Sequence, residues 1–195
     1  MANLSSLIVC GGRSSRMGTD KSVLEYYGLP HREYLYNLLK QFCEKVYLSV
    51  SADSLPANFP GIIDDPKYTG IGPMAALLSA WQQEPGTAWL VIGCDYPFID
   101  KDTIQNLIEH RGDIASCFLH PENNLREPLL TIYEAACYPM IMKAYQLNQY
   151  SLRKILESEE VITMRPPSRY TLKNVNTIEE HHEACNLITD KSFKI

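Results

Sequence analysis

The first loop of the chain carries the residue types that a polyphosphate ligand requires. An apolar segment over Leu7–Val9 leads into Gly11 and Gly12, and this pattern is typical of a buried strand that feeds a loop. Glycines allow backbone N–H groups to turn toward an anion and approach it closely. Three cationic side chains follow in the same loop, those of Arg13, Arg16 and Lys21. The loop therefore predicts a phosphate site, and the alternative is a glycine-rich surface turn with unrelated basic residues.

Neither of the two commonest phosphate-binding loops fits this segment. The P-loop requires Gly-Lys-Ser/Thr, whereas Lys21 follows Asp20, and the dinucleotide fingerprint separates its first two glycines, whereas Gly11 and Gly12 are adjacent. The form Gly-Gly-x-x-x-Arg-Met-Gly-x-Asp-Lys over residues 11–21 instead resembles the signature loop of the molybdenum cofactor guanylyltransferases, the MobA-like nucleotidyltransferase family.

Short apolar segments alternate with helical patterns along the chain, which predicts an α/β domain with a mostly parallel sheet. Strands are expected at Ser6–Cys10, Val46–Ser51, Gly61–Ile63, Ala88–Gly93, Ile114–Leu119, Leu129–Tyr133, Val161–Met164 and Leu172–Asn174. Helices are expected at Arg32–Cys43, Pro73–Gln83, Lys101–His110, Ala135–Leu147, Leu152–Ser158 and Ile178–Leu187. The resemblance implies one domain over residues 1–195, a three-layer α/β/α fold with a Rossmann-like mixed sheet of the nucleotide-diphospho-sugar transferase type.

Two oxygen-bearing side chains near expected strand ends are candidate metal ligands. Asp95 follows the apolar segment Ala88–Gly93, and Mg²⁺ prefers one or two carboxylates together with substrate phosphates. The sequence Asp-Tyr-Pro here resembles the family's Asp-x-Pro motif, whose aspartate binds the metal; the alternative is that Asp95 caps a turn. Residues 174–180 resemble the family motif Asn-Val-Asn-Thr-Pro-Glu-Glu, with Ile178 in place of the proline, which implies that Asn176 helps to hold the metal or a phosphate. Taken alone, the same segment predicts a helix capped by Thr177 with a capping box.

A second group of residues is expected to contact the nucleotide. Asp65 follows the segment Gly61–Ile63 and falls where the family has a nucleotide-contacting aspartate; the alternative is an Asx-turn at the strand end. Gly72 opens a segment that resembles the family's Gly-Pro-Leu-Ala/Gly-Gly motif, and a helix N-terminus there would favour an anion. Ser49 stands where the family often has asparagine, a departure that bears on the base preference. The full nucleotide-binding set that the resemblance implies is Val9, Cys10, Gly11, Gly12, Lys21, Ser49, Asp65, Gly72 and Asp95.

Two further segments resemble the acceptor side of the family's site. Residues 126–129, Arg-Glu-Pro-Leu, occupy the place of a substrate-side His/Glu-Pro segment. Arg153 and Lys154 resemble a basic pair that faces the acceptor, where they would meet an anionic phosphate. The same two residues are equally consistent with a solvated helix face.

Composition limits the remaining classes of function. The 195 residues are 45% hydrophobic and 21% charged, with a net charge of −5, which does not favour a general nucleic-acid surface. The six cysteines contain no Cys-x-x-Cys pair, so neither a zinc ribbon nor a redox motif is predicted, and Cys10 and Cys94 are expected to be buried thiols. No signal peptide or membrane-spanning segment is apparent, and a cytoplasmic location is the expectation.

The resemblance implies an activity, transfer of GMP from GTP to the phosphate of molybdenum-bound molybdopterin, with Mg²⁺ as cofactor. The expected products are molybdopterin guanine dinucleotide and pyrophosphate. Arg16 and Lys21 would stabilise the phosphates, and Asp95 would anchor the metal. Expected partners are GTP, molybdopterin and molybdenum-insertion proteins or molybdoenzymes, without nucleic acid or membrane. The alternatives are another nucleotidyltransferase, CTP-dependent or acting on a sugar phosphate, and a non-catalytic nucleotide-binding partner in cofactor insertion.

Overall fold

The computed structural model describes residues 2–10, 21–50, 58–158 and 160–190, and its centre is a seven-stranded mixed sheet. The strands are β1 (Leu4–Val9), β2 (Val46–Val50), β3 (Gly61–Ile63), β4 (Ala88–Gly93), β5 (Ala115–Leu119), β6 (Arg126–Tyr133) and β7 (Ile162–Met164). Their spatial order is β3-β2-β1-β4-β6-β5-β7. Every neighbouring pair is parallel except those of β6, which runs antiparallel to both β4 and β5. The prediction of a mostly parallel, mixed sheet is confirmed.

Helices cover both faces of the sheet. They are α1 (His31–Leu39), α2 (Pro73–Gln83), α3 (Lys101–Glu109), α4 (Tyr138–Gln146), α5 (Leu152–Ser158) and α6 (Ile178–Thr189). Side chains alternate along a strand, so Leu7 and Val9 pack in the apolar cluster with α2, α4 and α5, whereas Ile8 packs with α1 and α3. The result is the three-layer α/β/α arrangement, with a fully buried central strand β4.

Several predicted boundaries are confirmed because their signals are local. Helices α2 and α5 and strands β3 and β4 have the predicted limits. Pro73 occupies the first turn of α2, where its missing N–H costs no hydrogen bond. Asp100 caps α3 by accepting from the Thr103 N–H at 2.9 Å, and Thr177 caps α6.

Other predicted elements are wrong in extent or in kind. The predicted strand Leu172–Asn174 is absent, because turn hydrogen bonds such as Lys173 N–H to Tyr170 O already use the backbone of this segment. The predicted helix Ala135–Leu147 divides into a 3₁₀ turn and α4, since Pro139 in the first turn of α4 lacks the N–H that a continuous helix needs. Strand β6 begins at Arg126 rather than Leu129, because Arg126 pairs with Leu119 of β5.

The sheet topology brings the chain's chemically distinctive residues to one edge. Val9, Ser49 and Gly93 lie side by side in β1, β2 and β4, so the segments that follow these strands leave the sheet at the same carboxyl edge. Strand β6 runs the other way, and its first residues therefore lie at this edge beside the end of β4. Ligands of open parallel sheets bind at this edge.

The chemistry of the cysteines and the hydropathy of the helices add two further observations. None of the six cysteines, all within the described part of the chain, forms a disulfide. Cys94 is buried as predicted, whereas Cys10 is only half-buried.

No helix in the described ranges has the length and apolar character needed to traverse a membrane.

Candidate functional site

Asp95 lies immediately beyond the end of β4, held by the backbone of a distant segment. Its carbonyl oxygen accepts from the Val175 N–H at 3.0 Å. Its Oδ1 is buried and has no hydrogen-bond partner among the described residues. A Cβ atom at Gly93 would lie 2.8 Å from that oxygen, so the carboxylate occupies space that only glycine leaves open. Burial raises the pKa of Asp95, and the Lys21 cation opposes that increase.

Lys21 and Asn176 meet at the same place. The Lys21 Nζ donates to the Asn176 Oδ1 at 2.7 Å, joining the end of the first loop to the segment before α6. Asn176 is itself fixed by the capping box, because its N–H donates to the Glu180 Oε2 at 2.6 Å. The capping box and the contact with Lys21 are therefore both present. Lys21, Asp95 and Asn176, predicted from three separate motifs, come together.

Glu127 and Arg153 extend this cluster toward β6. Glu127 is 5% exposed, its Oε1 accepts from the Leu129 N–H at 2.9 Å, and its charge raises the pKa of Asp95 further. Arg153 on α5 places a guanidinium nitrogen 3.9 Å from the Glu127 Oε2 and donates from Nε to the Arg126 carbonyl at 3.1 Å. Arg153 is thus anchored against the sheet rather than freely solvated. Glu127 belongs to the segment 126–129 that the resemblance places on the acceptor side, but no residue pattern predicts that it is buried beside Asp95.

Two adjacent carboxylates follow β3 and have different environments. Asp65 caps the 3₁₀ turn Pro66–Tyr68: its Oδ1 accepts from the Lys67 N–H at 2.9 Å and its Oδ2 lies 3.3 Å from the Lys67 Nζ. The hydrogen bond from the Lys67 N–H is the main cause of the lowered pKa of Asp65. The Asx-turn interpretation is confirmed, and a nucleotide contact by Asp65 stays a prediction. Asp64, which was not in the predicted nucleotide set, instead accepts from the Ser49 hydroxyl at 2.8 Å.

The other predicted nucleotide residues have a mixed outcome. Val9 ends β1, and the Cys10 N–H donates to the Ser49 carbonyl at 3.1 Å, so the first loop starts beside β2. Gly72 precedes α2 with a φ of 65°, a left-handed conformation that favours glycine. Gly11, Gly12 and Arg16 lie outside the described residues, and their roles stay predictions.

His31, at the start of α1, packs behind the Asp95 segment. It is fully buried, its Nε2–H donates to the Tyr96 carbonyl at 3.1 Å, and burial lowers its pKa from 6.5 to about 4. The folded chain therefore keeps the His31 imidazole neutral at pH values where the same imidazole is already protonated in the unfolded chain.

We expect this neutral histidine to make the protein less stable as the pH falls. At pH 7.5 and above the histidine is neutral in both states. As the pH falls from 7.5 to 5 it gains the proton in the unfolded state but not in the folded state, which lowers the free energy of unfolding by about 2 kcal/mol. Urea unfolding across this range, in wild type and in His31→Gln, measures the contribution. His31→Gln removes the titration but keeps a donor for the Tyr96 carbonyl. If the free energy of unfolding depended on pH equally in wild type and in His31→Gln, this contribution of His31 would be contradicted.

A comparison with protein families identifies the chain. The MobA-like NTP transferase domain matches residues 6–163, which include most of the sheet and the site residues Lys21 and Asp95 but not Asn176. The chain belongs to the MobA-like NTP transferase family. This MobA-like chain is therefore a nucleotidyltransferase, as the family resemblance of residues 11–21 implied.

Curated relatives of the MobA-like chain carry names from the same biosynthesis. A molybdenum cofactor biosynthesis bifunctional protein of Synechocystis is 32% identical over 91% of this chain, and the alignment covers 52% of that protein, so the chain spans about half of its length. A probable molybdenum cofactor guanylyltransferase of Flavobacterium johnsoniae is 24% identical, over 92% of this chain and 95% of its own length.

Solved structures share the fold of the MobA-like chain. Molybdopterin-guanine dinucleotide biosynthesis protein A of Archaeoglobus fulgidus superposes with a TM-score of 0.75 at 18% identity, covering 95% of this chain and 99% of the other. The 2-C-methyl-D-erythritol 4-phosphate cytidylyltransferase of Thermus thermophilus gives 0.73 at 11% identity, covering 96% and 99%. These likenesses support the nucleotide-diphospho-sugar transferase type of sheet.

The donor set of the MobA-like chain suits a hard cation shared with substrate. Nucleotidyltransferases of this family generally use a divalent metal. The described ranges contain no group of three or more His, Cys, Asp or Glu that could hold a metal ion. A cation held by one carboxylate and by phosphate oxygens does not need such a group. The buried Oδ1 of Asp95, which has no hydrogen-bond donor within the described ranges, fits that role.

Proposed function

We propose that this chain transfers GMP from GTP to the terminal phosphate of molybdenum-bound molybdopterin, releasing pyrophosphate. The observation that carries the proposal is the convergence of Lys21, Asp95 and Asn176 at the carboxyl edge of the sheet. The family match and the names of the relatives support the same reaction.

The reaction is an in-line substitution at the α-phosphorus of GTP. A phosphate oxygen of the acceptor forms a bond to that phosphorus, while the bond to the bridging oxygen breaks and pyrophosphate leaves with its electron pair. The protein contributes alignment and electrostatic stabilisation rather than covalent chemistry. Lys21 and Arg16 bind phosphate oxygens, and Asn176 positions the Lys21 ammonium through its 2.7 Å hydrogen bond.

Asp95 is the proposed anchor for Mg²⁺. The Asn176 Oδ1, which accepts from the Lys21 ammonium at 2.7 Å, would ligate the ion only in place of that hydrogen bond. When bound, the metal ion neutralises charge that develops on the leaving pyrophosphate. Without a cation, a carboxylate at this position would repel a triphosphate by Coulomb's law. A cation held by Asp95 would therefore explain why this buried carboxylate lies in a site for anions.

The acceptor is proposed to bind on the β6 side of Asp95. Arg153 is held there by the Glu127 carboxylate and the Arg126 carbonyl, so its guanidinium reaches this edge with restricted freedom. Lys154 follows on the same helix. An arginine that is already positioned suits a planar, bidentate interaction with the phosphate of the pterin.

We expect GTP to bind at least about 10-fold more tightly than CTP, ATP or UTP in the presence of Mg²⁺. A site that hydrogen-bonds one base edge leaves buried polar groups unpaired when another base enters. Equilibrium titration of the purified chain with the four nucleotides measures this preference. Tighter binding of CTP would identify a cytidylyltransferase on the same fold and contradict the guanylyl proposal.

A further inference from the structure

Helix α6 carries a histidine and a cysteine one turn apart, and both contact the same backbone oxygen. His181 and Cys185 are four residues apart, so they lie on one face of the helix. The His181 Nε2–H donates to the Glu25 carbonyl oxygen at 3.1 Å, and the Cys185 Sγ lies 3.6 Å from that oxygen. The Sγ and the Nε2 are also 3.6 Å apart. Three donor atoms of different chemistry therefore form a small triangle.

Packing of the residue after Glu25 fixes the position of this triangle. Tyr26 is buried in the apolar cluster that contains Ala184 of α6. The rings of Tyr26 and His181 make a T-shaped contact, with their centroids 4.9 Å apart. The Glu25 carbonyl is therefore held against the helix by burial of the neighbouring side chain, in addition to its own hydrogen bonds.

The dimensions of the triangle match one face of a zinc coordination tetrahedron. With Zn–S of about 2.3 Å, Zn–N of about 2.0 Å and Zn–O of about 2.1 Å, tetrahedral angles place the ligand atoms about 3.3–3.6 Å apart. The observed separations are 3.1, 3.6 and 3.6 Å, so only the shortest edge needs a slight expansion. A single cation can thus contact all three atoms without rearrangement of the backbone.

The donor chemistry of this triangle differs from that of Asp95 and favours another class of ion. Thiolate and imidazole ligands suit zinc and related soft cations, whereas carboxylate and phosphate oxygens suit Mg²⁺. His181 and Cys185 are both half-buried, so an ion from solvent can reach them, and Cys185 forms no disulfide. Because one of the three donors is a backbone oxygen, this set is not a group of three His, Cys, Asp or Glu side chains.

We propose that His181, Cys185 and the Glu25 carbonyl form a binding site for a thiophilic divalent cation such as Zn²⁺, with water in the fourth position. In the cation-free chain, the imidazole Nε2–H and the thiol S–H both donate to the carbonyl oxygen. On binding, the S–H bond breaks, its proton passes to solvent, and the sulfur electron pair forms the bond to the metal. The imidazole proton moves through solvent from Nε2 to Nδ1, which leaves Nε2 able to coordinate.

The proposed site is a second link between two segments that already meet. Lys21 and Asn176 join the end of the first loop to the segment before α6, and Glu25 and His181 join the same two parts of the chain. A cation bound to Glu25, His181 and Cys185 therefore stabilises the arrangement that positions the Lys21 ammonium. An ion that binds only the folded chain raises its stability as the concentration of the ion increases.

Spectroscopic titration with Co²⁺ and Cd²⁺ tests the site, because both ions report thiolate coordination directly. The reduced full chain is titrated in excess Mg²⁺, which competes for oxygen-donor sites such as that proposed at Asp95. Wild type should show an ultraviolet charge-transfer band between thiolate and metal, and with Co²⁺ the intense visible bands of tetrahedral coordination. Zn²⁺ should displace Co²⁺ and, at about 100-fold above its dissociation constant, raise the melting temperature by about 5 °C.

Conservative variants separate coordination from folding. Cys185→Ser and His181→Gln each keep a donor for the Glu25 carbonyl and should melt like wild type without added metal. Each should bind Co²⁺ at least about 100-fold more weakly, and Cys185→Ser should lose the charge-transfer band entirely. His182→Gln removes the exposed neighbouring histidine, and Cys10→Ser removes the other half-buried thiol. Both of these controls should bind the metal as wild type does.

Three outcomes would overturn the proposal. The first is the absence of a thiolate–metal band in wild type at micromolar Co²⁺ and Cd²⁺. The second is a band that persists in Cys185→Ser or disappears in Cys10→Ser, which would place the metal on another thiol. The third is wild-type affinity in His181→Gln, which would leave a single cysteine side chain as the ligand. None of these results bears on guanylyl transfer, which is measured with Mg²⁺ alone.

Discussion

Asp95→Asn is expected to lower Mg²⁺-dependent release of pyrophosphate by about 1,000-fold or more, while GTP still binds measurably. The substitution preserves the shape of the side chain but removes the charge that would hold the metal, and metal-ion stabilisation of the transition state contributes several kcal/mol. GTP retains the first loop and Lys21 as ligands. The measurement is pyrophosphate release against Mg²⁺ concentration for wild type and variant, with GTP affinity determined separately.

The stability of the variant separates a metal role from a structural one. Because the Asp95 Oδ1 has no described hydrogen-bond donor, replacing its oxygen with an amide nitrogen breaks no side-chain hydrogen bond at that atom. The melting temperature should therefore change little. A variant with wild-type magnesium dependence would exclude Asp95 as a ligand and would direct attention to Asp64 or Asp65.

Lys21→Ala should reduce turnover by about 100- to 1,000-fold, the effect of removing one preorganised charge that stabilises a transition state. Its ammonium contacts Asn176 and reduces the pKa increase of Asp95, so it lies where negative charge accumulates during transfer. The hydrogen bond to Asn176 is exposed, and its loss should change the unfolding free energy little. Steady-state kinetics and thermal unfolding measure the two effects.

Lys40→Ala is the matched control for Lys21→Ala. Lys40 is an exposed lysine just beyond α1, at the end of that helix distant from the site. The Lys40→Ala variant should keep wild-type turnover. Full activity in Lys21→Ala, or loss of folding in that variant alone, would contradict a phosphate-binding role for Lys21.

Elements with local signals were predictable from the sequence, and elements that depend on packing were not. Helix α2 follows from Pro73 at its first turn, and α6 from the capping residue Thr177. The prediction of a strand at Leu172–Asn174 is wrong: Leu172 is buried in the apolar cluster with α1 and α3, whereas the backbone of the segment makes turn hydrogen bonds. An apolar residue reports burial and does not by itself identify the element.

The same distinction applies to the candidate site. Lys21, Asp95 and Asn176 follow from motifs, because each stands at a fixed place in a loop after a strand or before a helix. The contrast between Asp64 and Asp65 does not follow from the sequence, because it depends on which side chain each carboxylate contacts in the fold. Asp64 accepts from the Ser49 hydroxyl, and Asp65 is paired with Lys67. Glu127 is marked in the sequence only as part of the acceptor-side segment 126–129, and its position beside the end of β4 becomes known only from the pairing of β6.

Transfer of labelled phosphate tests the proposed reaction most directly. The purified chain is incubated with molybdenum-bound molybdopterin, Mg²⁺ and GTP labelled at either the α- or the γ-phosphate, and the pterin product and the pyrophosphate are separated. The proposed mechanism predicts that the α-label enters the pterin dinucleotide and the γ-label leaves in pyrophosphate, in equal amounts, in wild type and not in Asp95→Asn. Appearance of the γ-label on the pterin, or no labelled pterin although GTP binds, would contradict guanylyl transfer by this chain.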